Sequence, residues 1–257
     1  MPPLIADTAL IFGRYARQTL RSKPALIFGM VQPLLFLVFF GPLLTDLPLG
    51  GQAGSWQTIV PGILVQLGLF SASFTGIGLI LERRTGVIER MRVTPVSRLA
   101  LLMGRVLKDV ALLLVQSLLL VQSLLLVCVA VVLGLRAPVL GVAIGFVFVG
   151  VLTVSLASLS YALAMRVASP QGFAPVINSI TMPAMLLSGI LLPMSLGPRW
   201  LDIASHFVPF RYLVDGVRAA FAGEYGDGKI ALASLVASAL AVVAVTLGAR
   251  LFRQAGA

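Results

Sequence analysis

Between Arg136 and Arg166 the chain reads APVLGVAIGFVFVGVLTVSLASLSYALAM, residues 137–165, twenty-nine positions without a charge. A helix that crosses a bilayer needs about 20 predominantly apolar residues. This run supplies them, with no alternation of period two. A strand of a membrane barrel would alternate over about ten residues and then turn, so the run predicts a helix surrounded by lipid or by other apolar helices.

Five further gaps between charges are long enough for one span each: 24–45, 47–81, 110–135, 167–198 and 230–249. Charged side chains are expensive in hydrocarbon, so such gaps mark where spans can sit. The reading is an all-α membrane protein with six transmembrane helices in a single domain covering 1–257. Composition agrees, with 59% hydrophobic and 11% charged residues against about a quarter charged in ordinary soluble domains.

The net charge of +10 in a soluble chain would suggest nucleic acid. Here the basic residues flank apolar runs and instead set topology. Alternate connections place fourteen of the 19 Lys and Arg on the side that holds both tails, and five on the other. The positive-inside rule then puts both termini in the cytoplasm. The partner is the lipid bilayer, and no nucleic acid is expected. The location is a bacterial plasma (inner) membrane, crossed several times. No cleavable signal peptide is expected, because the first apolar run begins after residue 24 and lacks a small-residue cleavage site.

Three segments are more than simple spans. In 5–22, Arg14, Arg17, Gln18 and Arg21 share one helical face, opposite Ile5, Phe12, Ala16 and Leu20, with Asp7 placed to cap. This predicts an amphipathic interface helix on anionic headgroups; the plainer alternative is a basic flank. In 82–98, Gly86 breaks the helix and Val87, Ile88 and Met91 form an apolar side. Glu89, Arg90 and Arg92 remain for polar contacts, Pro95 stops the element and Ser97 caps the next one. A short cytoplasmic helix is expected, with an ordinary basic loop as the alternative. In 198–228, Pro209 suits the head of a helix, and Arg211, Asp215 and Arg218 can pair at i, i+4 and i, i+3. Trp200, Phe207, Phe210, Tyr212 and Phe221 supply an interfacial aromatic belt. This extracellular segment is expected either to re-enter the outer leaflet as short helices before the last span, or to lie flat on it.

The run Glu82-Arg-Arg-Thr-Gly86, then Glu89-Arg90, then Val93-Thr-Pro-Val-Ser97, resembles the signature loop of ATP-binding-cassette type-2 exporter permeases, in particular their daunorubicin-resistance branch. The resemblance covers essentially the whole chain. It implies that 82–98 is a coupling helix that docks on a separate ATPase, with Glu82, Arg83, Arg84, Gly86, Glu89, Arg90 and Arg92 at the contact. It also implies six spans, an N-terminal interface helix, short re-entrant helices and a second permease half, identical or homologous. ATP and magnesium would bind the partner subunit, and no cofactor this chain.

No G-x-x-x-x-G-K-[ST] run occurs in the sequence, so ATP phosphates are not cradled here by that device. No catalytic residue and no metal site is expected. His206 is the only histidine, and Cys128, the only cysteine, is read as a small packing residue. Gln32, Gln66, Gln116, Gln122 and Asn178 interrupt apolar runs and should face other helices. Gln32, Gln66 and Asn178 are candidates for a substrate path, with helix–helix hydrogen bonding as the alternative. The cargo would be hydrophobic or amphipathic: a drug, an antibiotic or a lipid-like molecule. Two other classes stand beside this one. An ion-gradient transporter should show paired intramembrane acids or inverted repeats. A membrane-embedded lipid-modifying enzyme would rest on Asp202, His206 and Asp215.

Overall fold

The computed structural model describes residues 31, 33–39, 55–78, 80, 122–167, 169–190, 194, 197–226 and 228–255. The interface segment 5–22, the polar segment 82–98, Gln32 and Gln116 lie outside these residues. The described elements are α1 (Ser55–Ser73), α2 (Gln122–Val132), α3 (Val139–Ala164), α4 (Pro170–Leu187), α5 (Arg199–Ser205), α6 (Pro209–Ala222) and α7 (Gly228–Ala255). A further helical stretch covers 33–39.

The six-span expectation is corrected here. Among the described residues three helices, not six, are long and apolar enough to cross a membrane: Trp56–Gly78, Val139–Ala164 and Gly228–Gly248. They fill the gaps 47–81, 137–165 and 230–249. Of the gap 110–135, residues 122–135 are described, and they hold the shorter apolar helix α2, closed by a turn in which Gly134 takes φ 114. In the gap 167–198, α4 has 18 residues, about 27 Å at 1.5 Å per residue, against a hydrocarbon core of about 30 Å. It also carries Gln171, Asn178 and Ser179 and is interrupted by Pro175 and Pro183. A charge-free gap states where a span is affordable; turns and polar residues inside the gap decide whether one helix fills it. The assignment of the termini to the cytoplasm rests on the same six-span count, and residues 1–30 lie outside those described.

Local sequence explains the helix boundaries. Pro138, extended at ψ 142, precedes α3. Ser169 accepts a hydrogen bond from the Gly172 amide at 3.1 Å, with Pro170 at the first position of α4. Within α3, Thr153, Ser155 and Ser158 return their hydroxyls to the carbonyls four residues earlier. The apolar helix thereby hides its own polar groups.

α3 lies against α1, α6 and α7, and α6 is also packed against α1 and α7. Helices in lipid gain little from excluding water and associate through close packing of small residues. At Gly141 a Cβ would stand 2.0 Å from the Ala220 carbonyl oxygen, so the backbones of α3 and α6 touch. The core around them holds Ile59, Ile63, Leu64, Leu126, Leu152, Leu213, Val217 and Phe221. One end of the bundle gathers the start of α1, the 133–138 turn, the end of α4, α6 and the start of α7. Gln57 donates to the Arg136 carbonyl there at 2.6 Å. The other end gathers Ser73, Gly76, Ser160 and Phe173.

Candidate functional site

The described polar chemistry concentrates at the first end, on α5 and α6. α6 begins with Pro209 at its first turn, after an extended Val208. It closes in a Schellman pattern, in which Gly223 (φ 81) donates to Ala220 at 3.1 Å and Glu224 to Ala219 at 2.9 Å. One face buries Leu213, Val214, Val217 and Phe221. The opposite face carries Arg211, Asp215 and Arg218.

Arg218 is the centre of this end. Its Nε donates to the Thr58 carbonyl of α1 at 3.0 Å, and its Nη2 to the Gly189 and Ile190 carbonyls at 2.7 and 3.2 Å. Those last two lie just past α4, where Gly189 adopts φ 71. Main-chain carbonyls just past a helix end have no ladder partner, and in a membrane they cannot turn to bulk water. The guanidinium supplies both bonds at once. One residue thus ties α6 to the start of α1 and the end of α4. The fit is close, because a Cβ at Gly62 would stand 1.9 Å from the Ile190 oxygen.

Asp215 lies 3.8 Å from Arg218 and 3.7 Å from Arg211. Arg211 reaches back to α5, where it meets the Asp202 carboxylate at 2.7 Å and donates to the Asp202 carbonyl at 2.9 Å and to Ser205 Oγ. The α6 segment is not one of the three spans. Burial lowers the Arg218 pKa to about 10, opposed by Asp215, so the guanidinium stays charged at neutral pH. Burial also raises the Asp215 carboxyl above its ordinary value, opposed first by Arg218 and then by Arg211.

Arg211, Asp215 and Arg218 are therefore brought together, but their shorter contacts are to Asp202 and to main-chain carbonyls. Sequence spacing could not show those partners, which lie up to 160 residues away. His206 Nδ1 faces the Asp202 main-chain carbonyl at 2.7 Å and Arg211 at 3.0 Å, while the Asp202 carboxylate pairs with Arg211. An Asp–His acid–base pair is not assembled. Among the described residues there is no group of three or more His, Cys, Asp and Glu that could hold a metal.

The aromatic belt is corrected in part: Phe221 is fully buried and Phe210 and Tyr212 are half-buried, while Trp200 and Phe207 are 67% and 86% exposed. Gln66 and Gln122 are buried, each with an Oε1 that has no partner among the described residues. Asn178 is exposed on α4, whose buried stripe is Phe173, Ile177 and Thr181. Cys128, expected as a packing residue, is exposed.

Comparison with known proteins decides the class. Residues 7–222 match the family described as ABC-2 type transporter. The chain belongs to the ABC-2 type transporter family. It is a multi-pass membrane permease subunit of that transporter class. It is 26% identical over 219 residues to a putative transport permease, ycf38, of Cyanophora paradoxa, covering 83% of this chain and 73% of that one. The corresponding permease of Pyropia yezoensis is 26% identical over 219 residues, covering 84% and 74%. The daunorubicin resistance ABC transporter permease protein DrrB1 of Streptomyces coeruleorubidus is 26% identical over 230 residues, covering 89% and 79%. For an ABC-2 permease, the Arg218 tie is the described feature that holds the short helices to the ends of longer ones.

Proposed function

We propose that the protein is the permease half of an ATP-driven exporter in a bacterial plasma membrane. It would move a hydrophobic or amphipathic drug, antibiotic or lipid-like molecule out of the cell, with energy from a separate ATPase subunit that binds ATP and magnesium. The observation that carries this reading is the family match over residues 7–222, a stretch that includes the polar segment 82–98. The daunorubicin-resistance relative supports the drug-efflux branch.

In this reading Glu82, Arg83, Arg84, Gly86, Glu89, Arg90 and Arg92 form the coupling element, and Arg14, Arg17 and Arg21 hold the interface helix to anionic lipid. In the chain, the Trp56–Gly78 span immediately precedes the coupling element. The segment 198–228 re-enters the outer leaflet. In support, Gly216 of α6 packs against Ala233 and Phe148, and Phe148 lies about 13 Å along α3 from its start. A second permease half covers α4. In support, Gln171, Asn178 and Ser179 share its exposed surface with Val176, Ile180 and Leu186, and amides facing lipid lack partners. Gln66 and Asn178, with Gln32, remain the candidates for the substrate path.

The test is binding of a purified partner ATPase. Deletion of residues 83–92 should weaken binding by more than about tenfold, or about 1.4 kcal/mol. Unchanged affinity after that deletion would sink the proposal.

A further inference from the structure

The Trp56–Gly78 span is not a continuous helix. The hydrogen-bond ladder changes at Ser73. Thr75 donates to Ala72, Ile77 to Phe74 and Gly78 to Thr75, at 3.1 to 3.3 Å, all three residues back instead of four. The two bonds that a regular helix would make here run instead to a side chain of α3. The Gly76 amide donates to Ser160 Oγ at 2.9 Å, and Ser160 Oγ donates to the Ser73 carbonyl at 2.6 Å. One hydroxyl is inserted into the ladder as both acceptor and donor. Insertion of a side chain is a recognised cause of a sharp helix kink.

Two neighbours hold the insertion in place. A Cβ at Gly76 would stand 2.6 Å from the Ser160 carbonyl oxygen and 2.7 Å from Phe173 Cζ of α4. Thr181 of α4 donates to Ser73 Oγ at 3.4 Å. Three helices therefore meet at the break. All of it is buried, where water cannot take over a lost bond.

We propose that Ser160 is the positioning residue of a two-state joint in this span, which sets the direction in which the chain leaves for 82–98. In the bridged state Ser160 satisfies Gly76 and Ser73. If the hydroxyl withdraws, those groups have one economical way to stay paired: Gly76 bonds to Ala72, Ile77 bonds to Ser73, and the helix becomes continuous. Converting the turn residues 74–75 to the regular helix shortens them by about 1 Å and rotates the helical residues 76–78 by about 40°. Ile80 is two residues from Glu82, so the joint stands in the chain just before the polar segment. The coupling role rests on the function proposed above; the joint itself does not.

The experiment uses spin labels on cysteines placed at Gly78 and Arg166 in a Cys128→Ala background. Both sites are exposed, and Gly78 has nothing within 4 Å of a Cβ. The full chain is read in lipid nanodiscs by pulsed electron spin resonance. In the lone permease, Ser160→Ala should move the distance distribution by about 1–2 Å, from the shortening and the rotation together. Ser160→Thr, which retains the hydroxyl, should return it towards the parent. With the partner ATPase trapped by ADP and vanadate, the parent should shift in the same sense, and Ser160→Ala should not respond further. An unchanged distribution in Ser160→Ala overturns the joint, and a parent that ignores the trapped nucleotide overturns its coupling role. If Ser160→Ala fails to fold, the decision falls to Ser160→Gly, which also removes the hydroxyl: a displaced distribution supports the joint, and one identical to the parent overturns it. The lone-permease arm needs no ATPase, so its failure is separable from failure of the 83–92 deletion test.

Discussion

Replacing Arg218 with methionine removes a charge while keeping most of the side-chain volume, and the structure predicts a severe loss. Three main-chain bonds disappear, at 2.7, 3.0 and 3.2 Å. Hydrogen bonds to charged groups contribute about 1.5–3 kcal/mol each, and a buried carbonyl left without a donor costs about 1–3 kcal/mol. Thr58 lies within a helix, so the orphaned groups are those of Gly189 and Ile190. Allowing for the desolvation recovered when a buried cation is removed, the expected destabilisation is about 3 kcal/mol. Asp215→Asn is the control. It also removes the ion pair, but at 3.8 Å and with the carboxylate 41% exposed, such a pair contributes only about 0–1 kcal/mol. The assay is reversible unfolding in mixed micelles, monitored by circular dichroism. Arg218→Met should lose at least about 2 kcal/mol more than Asp215→Asn. If the two variants lose equal stability, Arg218 acts through its ion pair and the carbonyl-capping argument fails.

The same geometry predicts other outcomes. Gly62→Ala and Gly141→Ala place a methyl about 2 Å from a main-chain oxygen and should abolish monodisperse protein in size-exclusion chromatography, while Gly78→Ala should elute as the parent does. Trp200, in a Trp56→Phe background, should be quenched by brominated lipid at the headgroup boundary; absence of quenching would place α5 away from the membrane. Asp215 is raised in the folded state, so that state binds its proton more tightly than the unfolded chain. The parent should therefore gain stability relative to Asp215→Asn as pH falls from 7 towards 4, in thermal melts, and a relative loss would contradict the assigned burial.

Apolar spans are legible in the sequence where a gap is both long and uninterrupted, as in 137–165. Length misleads where it stands in for continuity. Pro175, Pro183 and Asn178 are visible in 167–198, but a count of charges passes over them. The pairing of Arg211, Asp215 and Arg218 can be read from helical spacing, because it is local. The stronger contacts cannot: Arg218 reaches carbonyls, which every residue has, so no residue type marks them. The same holds for the joint at Ser73, since Ser160 is one of several serines on α3 and others bond back within their own helix. Phe221 reads as an interfacial aromatic because composition does not say which face of α6 packs inward.

The mounting of α4 has a mechanical consequence. Near its start Phe173 is wedged against Gly76, and just past its end two carbonyls are pinned by Arg218. Between these anchors Pro175 and Pro183 remove the amides that would bond to Gln171 and Ser179. The helix therefore behaves as a rod clamped at both ends and weakened along its length. A load applied at either clamp should appear as curvature of the rod, concentrated near the prolines, before it appears as displacement of the whole.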